Sequence, residues 1–164
     1  MPHETDSPGD ITVRLGVEDL FSAYADCIDE DRLEEWPGFF TEQCRYLVTS
    51  RADHAAGLRH GIIYAASHGM LTDRVMALRK ANIFEPHHYR HIIGSTRVAG
   101  MDGGVAEVRS NFLVVRIMHD GNTQLFATGR YLDRIDIGTR PYRFIERIVV
   151  LDSHKIDTLL VIPL

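Results

Sequence analysis

The chain of 164 residues has the composition of an ordinary globular domain, with 45% hydrophobic and 25% charged residues. The formal net charge is -5, whereas nucleic-acid-binding proteins usually carry a basic surface. No apolar run approaches the roughly 20 residues that a membrane-spanning helix needs. Two cysteines, Cys27 and Cys44, are too few for a disulfide framework. We therefore expect a cytoplasmic domain with two buried thiols that binds neither nucleic acid nor membrane.

The N-terminal segment differs in composition from the rest of the chain. Residues 1–9 are polar and contain Pro and Gly, which predicts a flexible arm, and they lack the apolar stretch of a secretory signal. Residues 10–164 show no repeat, low-complexity segment or interdomain linker. We expect them to form a single domain.

Two helices are expected at the start of this domain. Apolar residues from Ile11 to Ile28 recur every three or four positions, which predicts an amphipathic helix that begins near Asp10. After a charged turn, a second short helix is expected over residues 32–36. Pro37 would close or kink it, because proline cannot continue a helical hydrogen-bond pattern.

The middle of the chain mixes short elements. Residues 45–49 resemble a strand, residues 50–61 show no clear period and are expected to form a loop, and residues 62–64 would form a short strand. Thr72 is a plausible N-cap for a third helix, which Pro86 would terminate.

The second half of the chain has strand character. From Tyr89 onward, four segments rich in Val, Ile, Phe and Tyr are separated by turn sequences at residues 100–104, 120–122 and 138–141, which predicts an antiparallel meander. In residues 105–119 one face is apolar throughout, while the other changes from polar to apolar, which is typical of a long, curved strand. Helices followed by a meander predict an α+β domain, a cone in which a curved antiparallel sheet wraps around the N-terminal helices.

Nine histidines raise the question of a metal site, and the best cluster contains His87 and His91. Their spacing would place both imidazoles on one face of a helix, but Pro86 and the following isoleucines favour a strand. On a strand the two residues are about 13 Å apart, which is too far for one ion. Interface contacts or backbone hydrogen bonds are the favoured roles.

General acid–base catalysis is the main catalytic alternative, because a cone can enclose a cavity. The residues that could supply it are Tyr24, Tyr46, His91, Asp133 and Glu146. The charges on the last two strands have opposite signs, however, and opposite charges on neighbouring strands usually form structural ion pairs. Ion pairing is therefore the favoured interpretation, although the sequence does not show which side chains converge.

Several short segments occur in an order that resembles a known family: Tyr24-Ala25 with Ile28-Asp29, Trp36-Pro37 with Phe39-Phe40-Thr41, Cys44-Arg45-Tyr46, Thr72-Asp73-Arg74, Tyr89-Arg90-His91, Phe112-Leu113-Val114-Val115-Arg116, Gly129-Arg130-Tyr131-Leu132-Asp133 and Glu146-Arg147-Ile148-Val149-Val150-Leu151-Asp152. Each motif is weak alone, but their order and spacing are specific. Together they resemble the small (beta) subunit of Rieske-type aromatic-ring-hydroxylating dioxygenases, over nearly the whole chain.

The resemblance implies an NTF2-like cone fold, in agreement with the layout above. It also implies an assembly of three large (alpha) and three small (beta) subunits, in which the small subunits associate as a trimer and are chiefly structural. The large subunit would hold a Rieske [2Fe-2S] cluster and a mononuclear non-haem Fe(II). Electrons would reach it from NADH through a reductase, with or without a ferredoxin. Neither Cys27 nor Cys44 has a histidine within six residues, so this chain lacks the paired ligands of a Rieske centre.

Within the family, the resemblance is strongest to subunits of enzymes that act on aromatic carboxylates. Terephthalate is the nearest suggestion, while anthranilate, salicylate and benzoate remain open. The function would be hydroxylation of an aromatic carboxylate in the large subunit, as part of the catabolism of aromatic compounds.

The resemblance assigns no catalytic, cofactor-binding or metal-binding residue to this chain. Five charged residues of the motifs are instead hypothesised to form ion pairs that fix the sheet and its subunit contacts: Arg90, Arg116, Arg130, Asp133 and Arg147. Two alternative functions remain, a stand-alone isomerase or dehydratase with the cone fold and a small-ligand-binding domain.

Overall fold

A computed structural model gives the structure of the protein and describes residues 8–81, 85–153, 160 and 162–164. Within these residues the chain forms three α-helices, one 3-10 helix and six strands. The helices are α1 (Pro8–Asp29), the 3-10 helix (Trp36–Phe39), α2 (Arg51–Ala55) and α3 (His68–Ala81). The strands are β1 (Phe40–Ser50), β2 (Ile63–Ala65), β3 (His87–Asp102), β4 (Val105–Met118), β5 (Thr123–Asp136) and β6 (Arg143–Leu151).

The strands form one sheet in the order β2-β1-β6-β5-β4-β3. Strands β3 to β6 form the expected antiparallel meander. Strand β1 pairs in antiparallel fashion with β2 but in parallel with β6, which the sequence did not indicate. The direction of this pair is set by packing, since β1 and β6 are far apart in the chain. The α+β cone with a curved sheet is confirmed.

The curvature of the sheet follows from the long strands and their bulges. Every second residue of β4 from Ala106 to Arg116 is buried against the helices, as the alternation predicted. On the outer side, Glu107 and Arg109 are exposed, while Leu113 is half-buried further along the same strand. Bulges in β3 and β5 add curvature, because an extra residue on one strand bends it.

Helix α1 lines the inside of the cone with its apolar stripe, as its periodicity predicted. The buried residues of this stripe are Val17, Leu20, Phe21, Tyr24, Cys27 and Ile28. The helix begins at Pro8, two residues before the expected Asp10, so Pro8 and Gly9 of the expected arm belong to it. Residues 1–7 of that arm lie outside the described residues.

The prediction of a second helix over residues 32–36 is wrong. Residues 33–35 form a turn, and the 3-10 helix Trp36–Phe39 begins directly after them. Pro37 lies in the first turn of that helix, where its missing N–H removes no internal hydrogen bond. The proline therefore helps to begin a helix instead of ending one.

The loop expected over residues 50–61 contains the short helix α2. Its N-cap is Ser50, whose side-chain oxygen accepts a hydrogen bond of 3.1 Å from the Asp53 N–H. A single turn of helix has too few residues to show an apolar period, which is why the pattern did not reveal it. The short strand expected over residues 62–64 is confirmed as β2.

Helix α3 is present, but Thr72 does not cap it. The helix begins at His68, and Ser67 accepts a hydrogen bond of 3.3 Å from the Met70 N–H, as an N-cap does. Thr72 lies inside the helix, where its hydroxyl donates to the His68 carbonyl at 3.2 Å. Serine and threonine are both good N-caps, and the residue at which the helix begins decides which of the two serves as the cap.

Candidate functional site

A buried ion pair lies at the centre of the cone. Asp133 on β5 and Arg147 on β6 are directly opposite each other in the sheet, and both side chains are 0% exposed. Arg147 Nε donates to Asp133 Oδ1 at 2.9 Å, and Nη2 donates to Oδ2 at 2.8 Å. This two-pronged geometry is the strongest form of an arginine–carboxylate contact.

Four aromatic rings surround the guanidinium of Arg147. Its central carbon lies 4.0 Å from the ring centroids of Tyr131 and Phe144, 4.3 Å from that of Tyr24 and 4.9 Å from that of Phe21. Burial acts to lower the pKa of Arg147, but the charge and hydrogen bonds of Asp133 raise it above its ordinary value. The arginine therefore stays charged, and the rings add cation–π attraction.

The interior next to this pair is filled by the end of the described chain. Tyr24 and Tyr46 donate their hydroxyl protons to the Leu164 carbonyl oxygen at 2.8 Å and 3.1 Å, and the Leu164 N–H donates to the Tyr46 hydroxyl at 3.0 Å. Leu164 is fully buried. Burial raises the pKa of Tyr24, and raises that of Tyr46 well above its ordinary value, so both hydroxyls remain proton donors.

A second buried polar contact joins the end of α1 to β3. Asp29 Oδ1 accepts from His91 Nδ1 at 2.6 Å, and Asp29 Oδ2 accepts from the His91 backbone N–H at 2.9 Å. Arg90 Nη1 lies 3.6 Å from Asp29 Oδ2. The sequence singled out His91, but Asp29 was placed in a charged turn. Its position directly after the buried Ile28 was the available signal, because the apolar stripe reaches the end of the helix.

The five candidates for acid–base catalysis are not brought to one site: Tyr24, Tyr46 and Asp133 lie together around Arg147 and Leu164, while His91 and Glu146 have other partners. Each candidate has a structural partner: Tyr24 and Tyr46 contact Leu164, His91 contacts Asp29, Asp133 contacts Arg147, and Glu146 accepts from Arg45 at 2.9 Å. A general acid or base must reach a substrate proton, and hydrogen-bonded groups filling a core do not. The arrangement is suited to holding α1 and the strands together.

The histidines of the metal hypothesis lie on a strand, as expected. His87 and His91 are both in β3, and they contact different groups, since His87 Nδ1 lies 2.8 Å from the Glu85 carbonyl oxygen and His91 pairs with Asp29. Across the part of the chain that the structure describes, no three His, Cys, Asp or Glu side chains are placed to hold a metal ion.

Both thiols are free and buried, as expected. Cys27 donates through Sγ to the Arg32 carbonyl at 3.0 Å, and burial raises its pKa to about 11. Burial also raises the pKa of Cys44. A thiol with a raised pKa is a poor nucleophile near neutral pH, so the two cysteines act as packing residues.

The sequence was also compared with known protein families. Residues 23–158 match the model of the family described as "Ring hydroxylating beta subunit". This chain belongs to that family. The resemblance seen in the sequence motifs is confirmed, and the matched residues include both partners of the central ion pair.

The relatives of this beta subunit are oxygenase small subunits. It is 48% identical over 143 residues to "Terephthalate 1,2-dioxygenase, terminal oxygenase component subunit beta 1" of a Comamonas species, which covers 87% of this chain and 93% of the relative. It is 34% identical over 145 residues to the anthranilate 1,2-dioxygenase small subunit of Burkholderia cepacia, covering 88% of this chain and 90% of the relative.

A solved structure shows the same fold. A beta subunit assigned to an aromatic-ring-hydroxylating dioxygenase of Novosphingobium aromaticivorans superposes with a TM-score of 0.84 at 35% identity, covering 92% of this chain and 95% of the other. The beta subunit described here is therefore the non-catalytic component of an oxidoreductase complex. No described helix is long and apolar enough to cross a membrane.

The structure places the five charged residues singled out by the sequence in three environments. Asp133 and Arg147 form the central ion pair. Arg116 is buried on β4, where it lies 4.8 Å from the Phe126 ring and donates to Gln124 Oε1 at 2.9 Å. Arg90 and Arg130 are exposed on the surface of the sheet. Two of the five residues thus pair with each other, and Arg90 pairs with Asp29 instead.

Proposed function

We propose that this beta subunit is the structural small subunit of a multicomponent Rieske non-haem iron oxygenase whose large subunit hydroxylates an aromatic carboxylate. The observation that carries the proposal is that the centre of the cone is filled by Asp133, Arg147 and the aromatic rings around them. Such an interior supports a rigid scaffold and leaves the chemistry to a partner chain.

The substrate class is supported by the names of the relatives. Terephthalate and anthranilate, named for the relatives at 48% and 34% identity, are both aromatic carboxylates. We propose that the complex acts on a compound of this class in the catabolism of aromatic compounds, with terephthalate as the first candidate. The small subunit would take part through assembly.

The partner that we propose is a large (alpha) subunit with a Rieske [2Fe-2S] cluster and a mononuclear Fe(II), reduced by NADH through a reductase or ferredoxin. Three small subunits would associate with each other and with three large subunits. Cys27 and Cys44 are buried and separate from the histidines, which supports placing both iron centres in the large subunit. Two reduced, buried thiols also support a cytoplasmic location.

We assign the five charged residues to two tasks. Asp133, Arg147 and Arg116 would hold the inner face of the sheet in shape through their buried contacts. Arg90 and Arg130, which are exposed, would contact other subunits. This division follows burial, because only an exposed side chain can meet another chain.

Co-expression with the Rieske large subunit of the same organism tests the proposed function. We expect the two chains to co-elute in equal amounts, with all iron and turnover depending on the large subunit. The small subunit alone should be colourless and should bind no iron. Turnover of an aromatic carboxylate or another small substrate by the isolated chain would contradict the proposal and favour a stand-alone enzyme. Thermal stabilisation by such a compound without turnover would instead favour a ligand-binding domain.

A further inference from the structure

The outer side of the sheet carries a row of unpaired arginines, defined here as Arg97, Arg109 and Arg130. Arg97 on β3 is directly opposite Arg109 on β4. Arg130 on β5 is opposite Asn111, which places it diagonal to Arg109. All three are exposed, and none forms an ion pair with any residue that the structure describes.

The arginine row lowers the stability of a single copy of the chain. Like charges directly opposite on neighbouring strands destabilise a sheet, and Arg97 and Arg109 are such a pair. Arg51, at the start of α2, borders the same surface hollow as Arg130, and its nearest carboxylate oxygen, on Asp152, is 3.9 Å away. A concentration of cations on a chain with a net charge of -5 indicates a surface that meets an acidic partner.

The chain carries an acidic surface of its own, on a different side. Glu18 and Asp26 are exposed on one face of α1, with Ser22 between them, and Glu30 is exposed in the turn that follows the helix. These three residues form the acidic stripe. Glu18 and Asp26 make no ion pair within the described chain, and Glu30 is 3.9 Å from Arg90. The stripe lies beside the free edge of β3, since Glu18 and Asp26 border one hollow with Ile92.

We propose that the arginine row of one copy binds the acidic stripe of the next copy, head to tail, in a closed ring of beta subunits. This inference rests on the proposed function, of which it specifies the contact between small subunits. A two-fold contact through the row would place arginines against arginines. A head-to-tail contact needs two different complementary surfaces, and such contacts close into rings.

Apolar side chains next to both surfaces complete the proposed contact. Leu15 is 60% exposed and lies three residues before Glu18 on α1, and Ile92 is 58% exposed and borders the same hollow as Glu18 and Asp26. Leu132, which is opposite Arg109 in the sheet, is half-buried beside the arginine row. Stable protein interfaces combine an apolar centre with charged groups that select the partner, and these two surfaces have that composition.

Charge reversal on the row tests the proposal in solution. We expect the double variant R109E/R130E to weaken self-association of the full chain roughly tenfold or more, measured by sedimentation velocity over a range of salt concentrations. The matched control is R59E/R143E, which changes the net charge equally at two exposed arginines outside the row and should leave self-association unchanged. Equal effects of the two variants would overturn the proposal.

A charge swap separates a contact between copies from a loss of folding. Adding E18R and D26R to R109E/R130E restores opposite charges between the surfaces, with their signs exchanged. The fourfold variant should recover self-association, and it should not mix with the wild-type chain, because each mixed contact would join like charges. Failure to recover in a variant with the native near-ultraviolet circular dichroism would count against the contact.

Crosslinking inside the assembled oxygenase decides the proposal. Glu18→Cys combined with Arg109→Cys should produce disulfide-linked dimers and trimers of the small subunit under mild oxidation, while Glu18→Cys with Arg143→Cys should not. The native thiols, Cys27 and Cys44, are buried and do not compete. Disulfides to the large subunit, or none, would overturn this contact. Co-elution of the small subunit with the large subunit would be unaffected by that result. The proposed function and the proposed contact are therefore tested independently.

Discussion

Arg147 places a positive charge at a site without solvent, where an unpaired charge would cost several kcal/mol. Asp133 supplies the opposite charge through two hydrogen bonds, and four ring faces supply partial negative charge around the guanidinium. The ion pair joins β5 to β6, and the rings join it to α1. A single side chain thus links the helix to the sheet.

Removing one member of this pair should be severe. We expect Arg147→Met to lower the free energy of unfolding by about 3–5 kcal/mol, because Asp133 would keep a buried charge without a partner. Urea unfolding followed by circular dichroism measures this. The double variant Arg147→Met with Asp133→Leu should recover most of the loss.

The control for Arg147→Met is the exposed pair of Arg32 and Glu35, whose side chains are 2.7 Å apart. Arg32→Met should cost less than about 1 kcal/mol, because solvent screens exposed pairs. A similar cost for both single variants would show that the buried pair has no special role.

The raised pKa values of buried cysteine and tyrosine side chains lead to a prediction about the stability of the fold at high pH. Burial raises the pKa of Cys27 from its ordinary 9.0 to about 11, and raises those of Tyr24, Tyr46 and Tyr131 above 10.0. Above pH 9 the unfolded chain therefore loses protons that the folded chain keeps, so stability falls as pH rises. We expect constant urea midpoints up to about pH 8.5 and a decline that steepens beyond pH 10.

Absorbance at 295 nm gives a direct check of the alkaline prediction. The three buried tyrosines should ionise only when the protein unfolds, so part of the tyrosinate signal should appear with the unfolding transition. Cys27→Ala should reduce the fall in stability between pH 9 and 10, since it removes one of the two buried thiols, whose ordinary pKa of 9.0 is below that of tyrosine. Smooth ionisation of every tyrosine in the folded protein would contradict this account.

Among the elements, β3 is the one most exposed to unwanted pairing, because it is a 16-residue strand at the edge of the sheet. An unpaired strand edge is a template for another strand. Asp29 at the end of α1 accepts the His91 N–H and so occupies one of the outward groups of this edge. The same carboxylate fixes where α1 ends against the sheet.

Asp29→Ala should release this contact. We expect a loss of about 1–3 kcal/mol in the free energy of unfolding, because the buried His91 N–H would lose its acceptor. Amide hydrogen exchange at His91 and its neighbours in β3 should accelerate. Asp73→Ala, at an exposed site on α3, is the control and should leave exchange in β3 unchanged. Unchanged exchange in Asp29→Ala would show that the edge is held by other contacts.

The elements that the sequence predicted well are those defined by local patterns. Apolar periodicity identified α1, and the turn residues near 103, 121 and 138 identified the hairpins of the meander. The direction of β1 against β6 was not predictable, because their pairing joins residues about a hundred positions apart and leaves no local pattern. The caps Ser50 and Ser67 were missed because several nearby residues could serve equally well.

At the scale of the whole molecule, the charged side chains of the interior differ from those of the surface in their pairing. The central charges of Asp133 and Arg147 are paired, whereas Arg97, Arg109 and Arg130 on the outer side of the sheet and Glu18 and Asp26 on α1 form no ion pair in the described chain. Unpaired surface charges contribute little to the stability of one copy. We propose that these charges act in assembly instead.

Arg130→Ala should therefore act on assembly. We expect a lower yield or a lower melting temperature of the oxygenase complex, with the iron content and turnover per assembled complex unchanged, because Arg130 is exposed on β5 of the non-catalytic subunit. Size-exclusion chromatography, iron analysis and activity of the isolated complex measure these quantities. Arg143→Ala is the matched control, and an equal effect of both variants, or none from Arg130→Ala, would count against a role in subunit contacts.

The sequence alone determined the α+β class, the cone, and the family, because each depends on short motifs and local periodicity that survive without knowledge of distant contacts. Only the tertiary structure decided what fills the cone. Asp29 meets His91 across 62 positions, and Tyr46 meets Leu164 across 118. Such contacts depend on sheet register and on the packing of α1, which no local pattern encodes. The candidate acid–base residues are instead paired with other charged side chains or with the backbone, so their role is structural.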